Sequence, residues 1–230
     1  MLRRFLDVYQ PKPVPALSFR DPRPGDDRSV PSPRVSHEST RRLAWRSRTT
    51  GRLMAALYAD LVGYSRLFHR DDTGTIVRLR SMHRLIRPAI RWHGGRVVQT
   101  AGDSMLVTFD SVSGAVRCAV AVQYELARQN DGWPEDNSLR LRVGVDLGDV
   151  IRDGRDFHGR GIITAVRLQE VCPPGGICIS RAAHERAGDR LGLSFESLGA
   201  LMLKNVPQPV DAFVLRPLPG KRAAELRLVE

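Results

Sequence analysis

Two aspartates stand where apolar runs give out. Asp60 follows Leu53-Met54-Ala55-Ala56-Leu57-Tyr58-Ala59, and Asp103 closes the Ala101-Gly102-Asp103 junction between two β-rich runs. A carboxylate at a strand end sits at the rim of a sheet, and two of them on neighbouring strands converge. Converging carboxylates offer hard oxygen ligands to Mg²⁺, which takes one or two carboxylates and completes its shell with water and phosphate oxygens. An aspartate at a strand end serves equally well as a turn residue or a helix N-cap. Residue type alone leaves these alternatives open.

The elements that would position the pair can be read from periodicity. The apolar run 53–59 is a buried strand by its length. Asp72 and Thr73 offer an N-cap, after which Ile76, Leu79, His83, Ile86 and Ile90 recur at spacings of three and four. That pattern is an amphipathic helix, closed by Gly94-Gly95. Segments 96–100 and 104–109 read as the strands of a hairpin with Gly102 and Asp103 at its tip. A helix over 112–129 shows Ala115, Cys118, Ala119, Val122 and Leu126 on one face, and 139–151 alternates as a strand. The order strand, helix, strand, strand, helix, strand predicts an α+β fold. Its core is a ferredoxin-like βαββαβ unit, an antiparallel sheet with helices on one face. Beyond it come a helix at 161–171 stopped by Pro173-Pro174-Gly175-Gly176, a strand at 177–179, a helix at 180–188, and strands at 193–198 and 210–215.

Composition places the domain limits. Residues 1–50 hold seven of the fifteen prolines and no apolar period, which predicts a disordered Pro/Arg-rich leader, followed by a domain over 51–216 and a polar tail over 217–230. The net charge is +11, and residues 1–52 supply twelve Lys/Arg against five Asp/Glu. The basicity thus belongs mostly to the leader, and no nucleic-acid partner is expected. No apolar run approaches the ~20 residues of a membrane span, and residues 1–9 lack the pattern of a secretory signal. Cys118, Cys172 and Cys178 form an odd set without metal-ligand spacing and suit a reducing, cytoplasmic location.

Longer words surround the aspartates. Ala59-Asp60-Leu61-Val62-Gly63-Tyr64-Ser65-Arg66-Leu67, His93-Gly94-Gly95-Arg96-Val97-Val98 leading to Ala101-Gly102-Asp103, and Arg142-Val143-Gly144-Val145-Asp146-Leu147-Gly148-Asp149-Val150 resemble the class III adenylate/guanylate cyclase family. Arg167-Leu168, Pro174-Gly175-Gly176-Ile177-Cys178-Ile179-Ser180 and Leu203-Lys204-Asn205-Val206-Pro207 follow in the family's order. The resemblance spans about 165 residues.

The resemblance implies domains that pair head to tail, a homodimer here or a heterodimer with another cyclase chain, with active sites at the interface. It implies metal binding by Asp60, Asp103 and the backbone carbonyl of Leu61, with two Mg²⁺ or Mn²⁺ ions per site. The expected reaction turns ATP into 3′,5′-cyclic AMP and pyrophosphate. The family reads the base with a Lys and an Asp; this chain has Gln99 at the first position and Asp156 at the second. The Gln99 amide can donate to adenine N1 while Asp156 accepts from the exocyclic amine, whereas guanine O6 would face an acceptor-only carboxylate. Transition-state contacts in the family come from an Asn and an Arg four residues apart on a helix, and from a Lys that reaches the triphosphate. Arg167 and Lys204 match; Ile163 replaces the Asn, and Arg160 stands where relatives commonly carry an acid. Loss of one such donor costs ~10²–10³ in rate, so reduced activity is expected. The alternative is a catalytically degenerate nucleotide-binding or dimerising regulatory domain.

Overall fold

The computed structural model describes residues 51–154, 156–187 and 191–216. The expected leader and tail lie outside them. In chain order the elements are β1 (Gly51–Leu61), α1 (Tyr64–Arg70), α2 (Asp72–Trp92), β2 (Gly95–Ala101), β3 (Ser104–Phe109), α3 (Val112–Gln129), β4 (Leu141–Asp153), β5 (Asp156–His158), α4 (Arg160–Val171), β6 (Ile177–Ser180), α5 (Arg181–Ala187), β7 (Glu196–Leu201) and β8 (Val210–Leu215).

Capping fixes where the two long helices begin. Asp71, one residue before the expected cap, accepts from the Gly74 N–H, and Ser111 accepts from the Gly114 N–H. Helix α1 has no sequence signal of its own because it is two turns long and buries only Leu67. Its start is set by Gly63, whose φ of 69° lets the chain leave β1 in a left-handed turn. Strand β7 begins three residues later than periodicity suggests. Leu193 and Phe195 pack on the main core without pairing, and the ladder opens only where Glu196 meets Val214.

The sheet runs β2-β3-β1-β4-β6-β8-β7, with β5 folded back onto β4. The first four strands are antiparallel, as the ferredoxin-like reading requires, while β4 and β6 pair in parallel, making the whole sheet mixed. Ala55, Leu57, Ala59 and Leu61 of β1 face the main core, which α2, α3 and α5 close with residues such as Met82, Ile90, Leu126 and Ala183. The two helices of the βαββαβ unit thus share one face.

The alternate residues of β1 face the other way, under α4. There Ala56, Leu106, Val150, Ile162 and Ala165 form a smaller cluster, and Leu168, Cys172, Cys178, Ala212 and Val214 another. Helix α4 crosses so close to β4 that a Cβ at Gly144 would overlap the Ala165 carbonyl oxygen and the Gln169 nitrogen. Gly148 and Gly161 meet in the same way. Burial raises the Asp146 carboxyl of β4, and the hydroxyls of Ser180 on β6 and Thr164 on α4, with the Leu147 N–H, pull it back down.

Candidate functional site

In the β1–β3 ladder Asp60 stands across from Ser104, the residue after Asp103. The two aspartates therefore meet at one end of the sheet. Burial first, and then the charge of Asp103, push the Asp60 carboxyl up to about 6; the Arg142 guanidinium and the Leu61 N–H pull it down. Asp103 is raised as well, chiefly by burial, against a hydrogen bond from its own N–H. Oδ1 of Asp60 is buried without a hydrogen-bond partner. Buried carboxylate oxygens are ordinarily satisfied, so this one marks a missing partner of positive charge. A hard divalent cation fits two half-buried carboxylates at a sheet rim. No third His, Cys, Asp or Glu joins them among the described residues, which suits an ion that draws further oxygens from water, backbone and ligand phosphates.

The α4 face adds groups that the sequence did not single out. Arg142 of β4 lies directly across from Asp60, and its buried Nε has no partner. Burial raises Tyr58, two residues before Asp60 on the same face; the nearby Ser104 hydroxyl pulls it down, and the charges of Asp60, Asp103 and Glu170 add to the rise. The period-two spacing of Tyr58 and Asp60 was a usable signal for the tyrosine. Arg142 needed the register of β1 against β4, which no local pattern carries.

The remaining expected residues are distributed as follows. Leu61 ends β1 with its side chain buried in the main core, and its N–H lowers the Asp60 carboxyl slightly. Gln99 is exposed on β2, where the register slips between Val97 and Gln99. Strict alternation would aim Gln99 at the main core; the bulge at Val98 sets it opposite Leu106, on the α4 face. Asp156 is exposed at the start of β5, opposite Asp153. Asp60 is opposite Arg142 at the other end of β4. At ~3.3 Å per residue the two ends are roughly 35 Å apart along the strand. One chain therefore does not bring Asp156 to Asp60 and Asp103. Gln99 and Asp156 do flank one cluster, since their neighbours Val98 and Phe157 both pack on it.

Arg167 is only 4% exposed, donates to Glu170 across 2.6 Å, and keeps a buried Nε without a partner. Ile163, one turn earlier, is half-buried, and Arg160 is exposed at the helix start. Lys204 is exposed on the turn between β7 and β8, next to Leu203, which packs in the cluster of Leu168. Leu203 and Leu168, the chain neighbours of Lys204 and Arg167, thus share one cluster.

Comparison with known proteins accounts for this layout. The model of the adenylate and guanylate cyclase catalytic domain matches residues 50–217. The chain belongs to that family. It is 40% identical over 167 residues to the Rhizobium meliloti (strain 1021) protein named "Putative adenylate cyclase 3", a match covering 72% of this chain and 28% of that protein. It is also similar to the solved adenylate/guanylate cyclase/hydrolase from Silicibacter pomeroyi, with TM-score 0.70 and 35% identity over 74% of this chain and 99% of that one. A Trypanosoma brucei adenylate cyclase, solved in its monomeric state, gives TM-score 0.62 and 25% identity over 73% and 90%. The chain spans 28%, 18% and 15% of the lengths of three curated relatives. Within this cyclase domain, Asp60 and Asp103 are brought together by the fold, whereas Asp156 is held at the far end of the sheet. No helix among the described residues is long and apolar enough to cross a membrane, and all three cysteines are buried and free.

Proposed function

We propose that the chain is an adenylate cyclase, active as a homodimer, that converts ATP to 3′,5′-cyclic AMP and pyrophosphate. The observation that carries this reading is the Asp60–Asp103 pair, with one buried carboxylate oxygen unsatisfied and the Asp60 carboxyl raised to about 6. Mg²⁺ or Mn²⁺ bound by the two carboxylates would ease loss of the ribose 3′-hydroxyl proton and offset triphosphate charge. Arg142, with its unpartnered Nε on the same face, is placed to take a phosphate oxygen. In the reaction the 3′-oxygen bonds to the α-phosphorus, the bond to the β-phosphate oxygen breaks, and pyrophosphate leaves. The separation of Asp156 from Asp60 supports sites shared between two chains, with base reading by Gln99 and Asp156 of one and the aspartate pair of the other. ATP is favoured because Asp156 accepts from the adenine amine, in keeping with the name of the Rhizobium relative.

Incubation of the full chain with ATP and Mn²⁺ should yield cyclic AMP, and Asp60→Asn should lower the rate about a thousandfold, the ~4 kcal/mol expected of lost charge stabilisation. Equal product from wild type and variant would overturn the reading.

Ile163 favours a second reading, a domain that binds nucleotide without turnover. It offers no hydrogen bond, and Arg167 is turned inward onto Glu170. Replacing Ile163 by Asn should raise a measurable rate at least tenfold under the first reading. Saturable ATP binding with no product from either form would establish the second.

A further inference from the structure

Helix α2 carries most of the domain's surplus charge. Residues 72–92 contain five arginines and one aspartate, and the rest of residues 53–230 carries equal numbers of Lys/Arg and Asp/Glu. Arg78 is spoken for: it pairs with Asp71 and lies over the Trp133 ring. The other four, Arg80, Arg84, Arg87 and Arg91, recur at spacings of four, three and four, and all are exposed. At ~100° per residue they fall within an arc of about 60° and extend along roughly 16 Å of helix. None of the four makes an ion pair or side-chain hydrogen bond among the described residues. The inner face of the helix, with Met82, Ile86 and Ile90, is already committed to the core. The stripe therefore contributes nothing evident to folding, while four like charges at these spacings repel one another.

Large apolar side chains flank the stripe at both ends. Val77, one turn before Arg80, is 53% exposed, and Trp92, about 100° further round the helix than Arg91 but on the same solvent half, is 77% exposed. A phosphate backbone rewards the arginines and leaves these residues in water. A bilayer surface rewards both, since anionic headgroups take the guanidinium groups and the interfacial zone takes tryptophan and the apolar stems of arginine.

We propose that the exposed face of α2 is a docking surface for an anionic lipid bilayer, engaged peripherally through Arg80, Arg84, Arg87 and Arg91 with Val77 and Trp92 as shallow anchors. Because α2 covers the sheet face opposite α4, this contact leaves Asp60, Arg142 and Gln99 facing away from the bilayer. The surface stands independently of the chemistry assigned to that site.

The test is co-sedimentation of the full chain with vesicles of phosphatidylglycerol and phosphatidylcholine in equal parts, against phosphatidylcholine alone, over a salt series. Wild type should partition onto the anionic vesicles only and be released by salt. The Arg80→Gln/Arg84→Gln/Arg87→Gln/Arg91→Gln variant should lose about a hundredfold or more in partition coefficient at unchanged melting temperature. The corresponding all-Lys variant retains the charge and should keep binding, a control that holds if the glutamine variant folds poorly. Vesicle binding should shift tryptophan emission to the blue in wild type, and Trp92→Phe should remove most of that shift. Undiminished binding by the glutamine variant, loss of binding by a folded lysine variant, or no binding by wild type would overturn the proposal. So would tighter binding of a DNA duplex than of vesicles through the same four arginines.

Discussion

The two faces of the sheet have been built to different rules. The face under α2, α3 and α5 is a continuous apolar core in which β1, β3, β4 and β6 contribute buried aliphatic residues and Phe109. The face under α4 is split into two small apolar clusters and also carries Asp60, Arg142, Asp146 and Arg167. Among the described residues, three of the four buried side-chain atoms without partners, Asp60 Oδ1, Arg142 Nε and Arg167 Nε, belong to this second face; the fourth, His83 Nε2, is on α2. Orphaned polar atoms cost free energy in the folded chain. Their concentration on one face is what the proposed nucleotide site would use, on a fold stabilised from the other side.

Substitutions on the two faces should separate activity from stability. The largest contrast is Asp103→Asn, which should lower cyclic AMP formation by about a thousandfold while leaving thermal unfolding unchanged or improved. Loss of activity in step with loss of fold would erase the distinction. Its mirror is Phe109→Ala. That change removes one of the largest fully buried side chains and should cost about 3–5 kcal/mol in chemical denaturation. The activity per folded molecule should be kept.

Gly144→Ala should blur the contrast deliberately. The added methyl meets backbone of α4 rather than a movable side chain, so the helix must shift, at about 1–3 kcal/mol. Since Arg167 rides on that helix, activity should fall together with melting temperature. A fall in only one of the two would show that α4 position and chemistry are uncoupled.

The smallest effect concerns pH. A carboxyl raised from 3.8 to about 6 in the folded chain holds its proton more tightly folded than unfolded. The metal-free protein therefore loses stability as pH rises from about 4 to 6, and keeps that penalty at neutral pH. In the presence of a chelator, Asp60→Asn should flatten this part of the melting-temperature profile. An unchanged slope would place the titration elsewhere.

Much of the fold was legible because periodicity and punctuation agreed. The element order of the core, the extent of α3 and β8, and the hairpin at Gly102-Asp103 follow from local pattern. The faces of β1 were not legible, since Ala55, Ala56, Leu57, Tyr58 and Ala59 are apolar on both sides and show no alternation. Gln99 was legible as a residue but not as a direction, because one bulged residue, Val98, moves it to the other face.

The sequence by itself determined the element order, the rim position of Asp60 and Asp103, the family, and the departures at Gln99, Arg160 and Ile163. These depend on residue types and short spacings along the chain. Only the tertiary structure decided that Arg142 stands across from Asp60, that Arg167 turns inward onto Glu170, that Asp156 lies far from the aspartate pair, and that Arg80, Arg84, Arg87 and Arg91 are left without an ion pair among the described residues. Those facts depend on strand register, helix placement and the pairing of charges, which arise from contacts between residues distant in sequence.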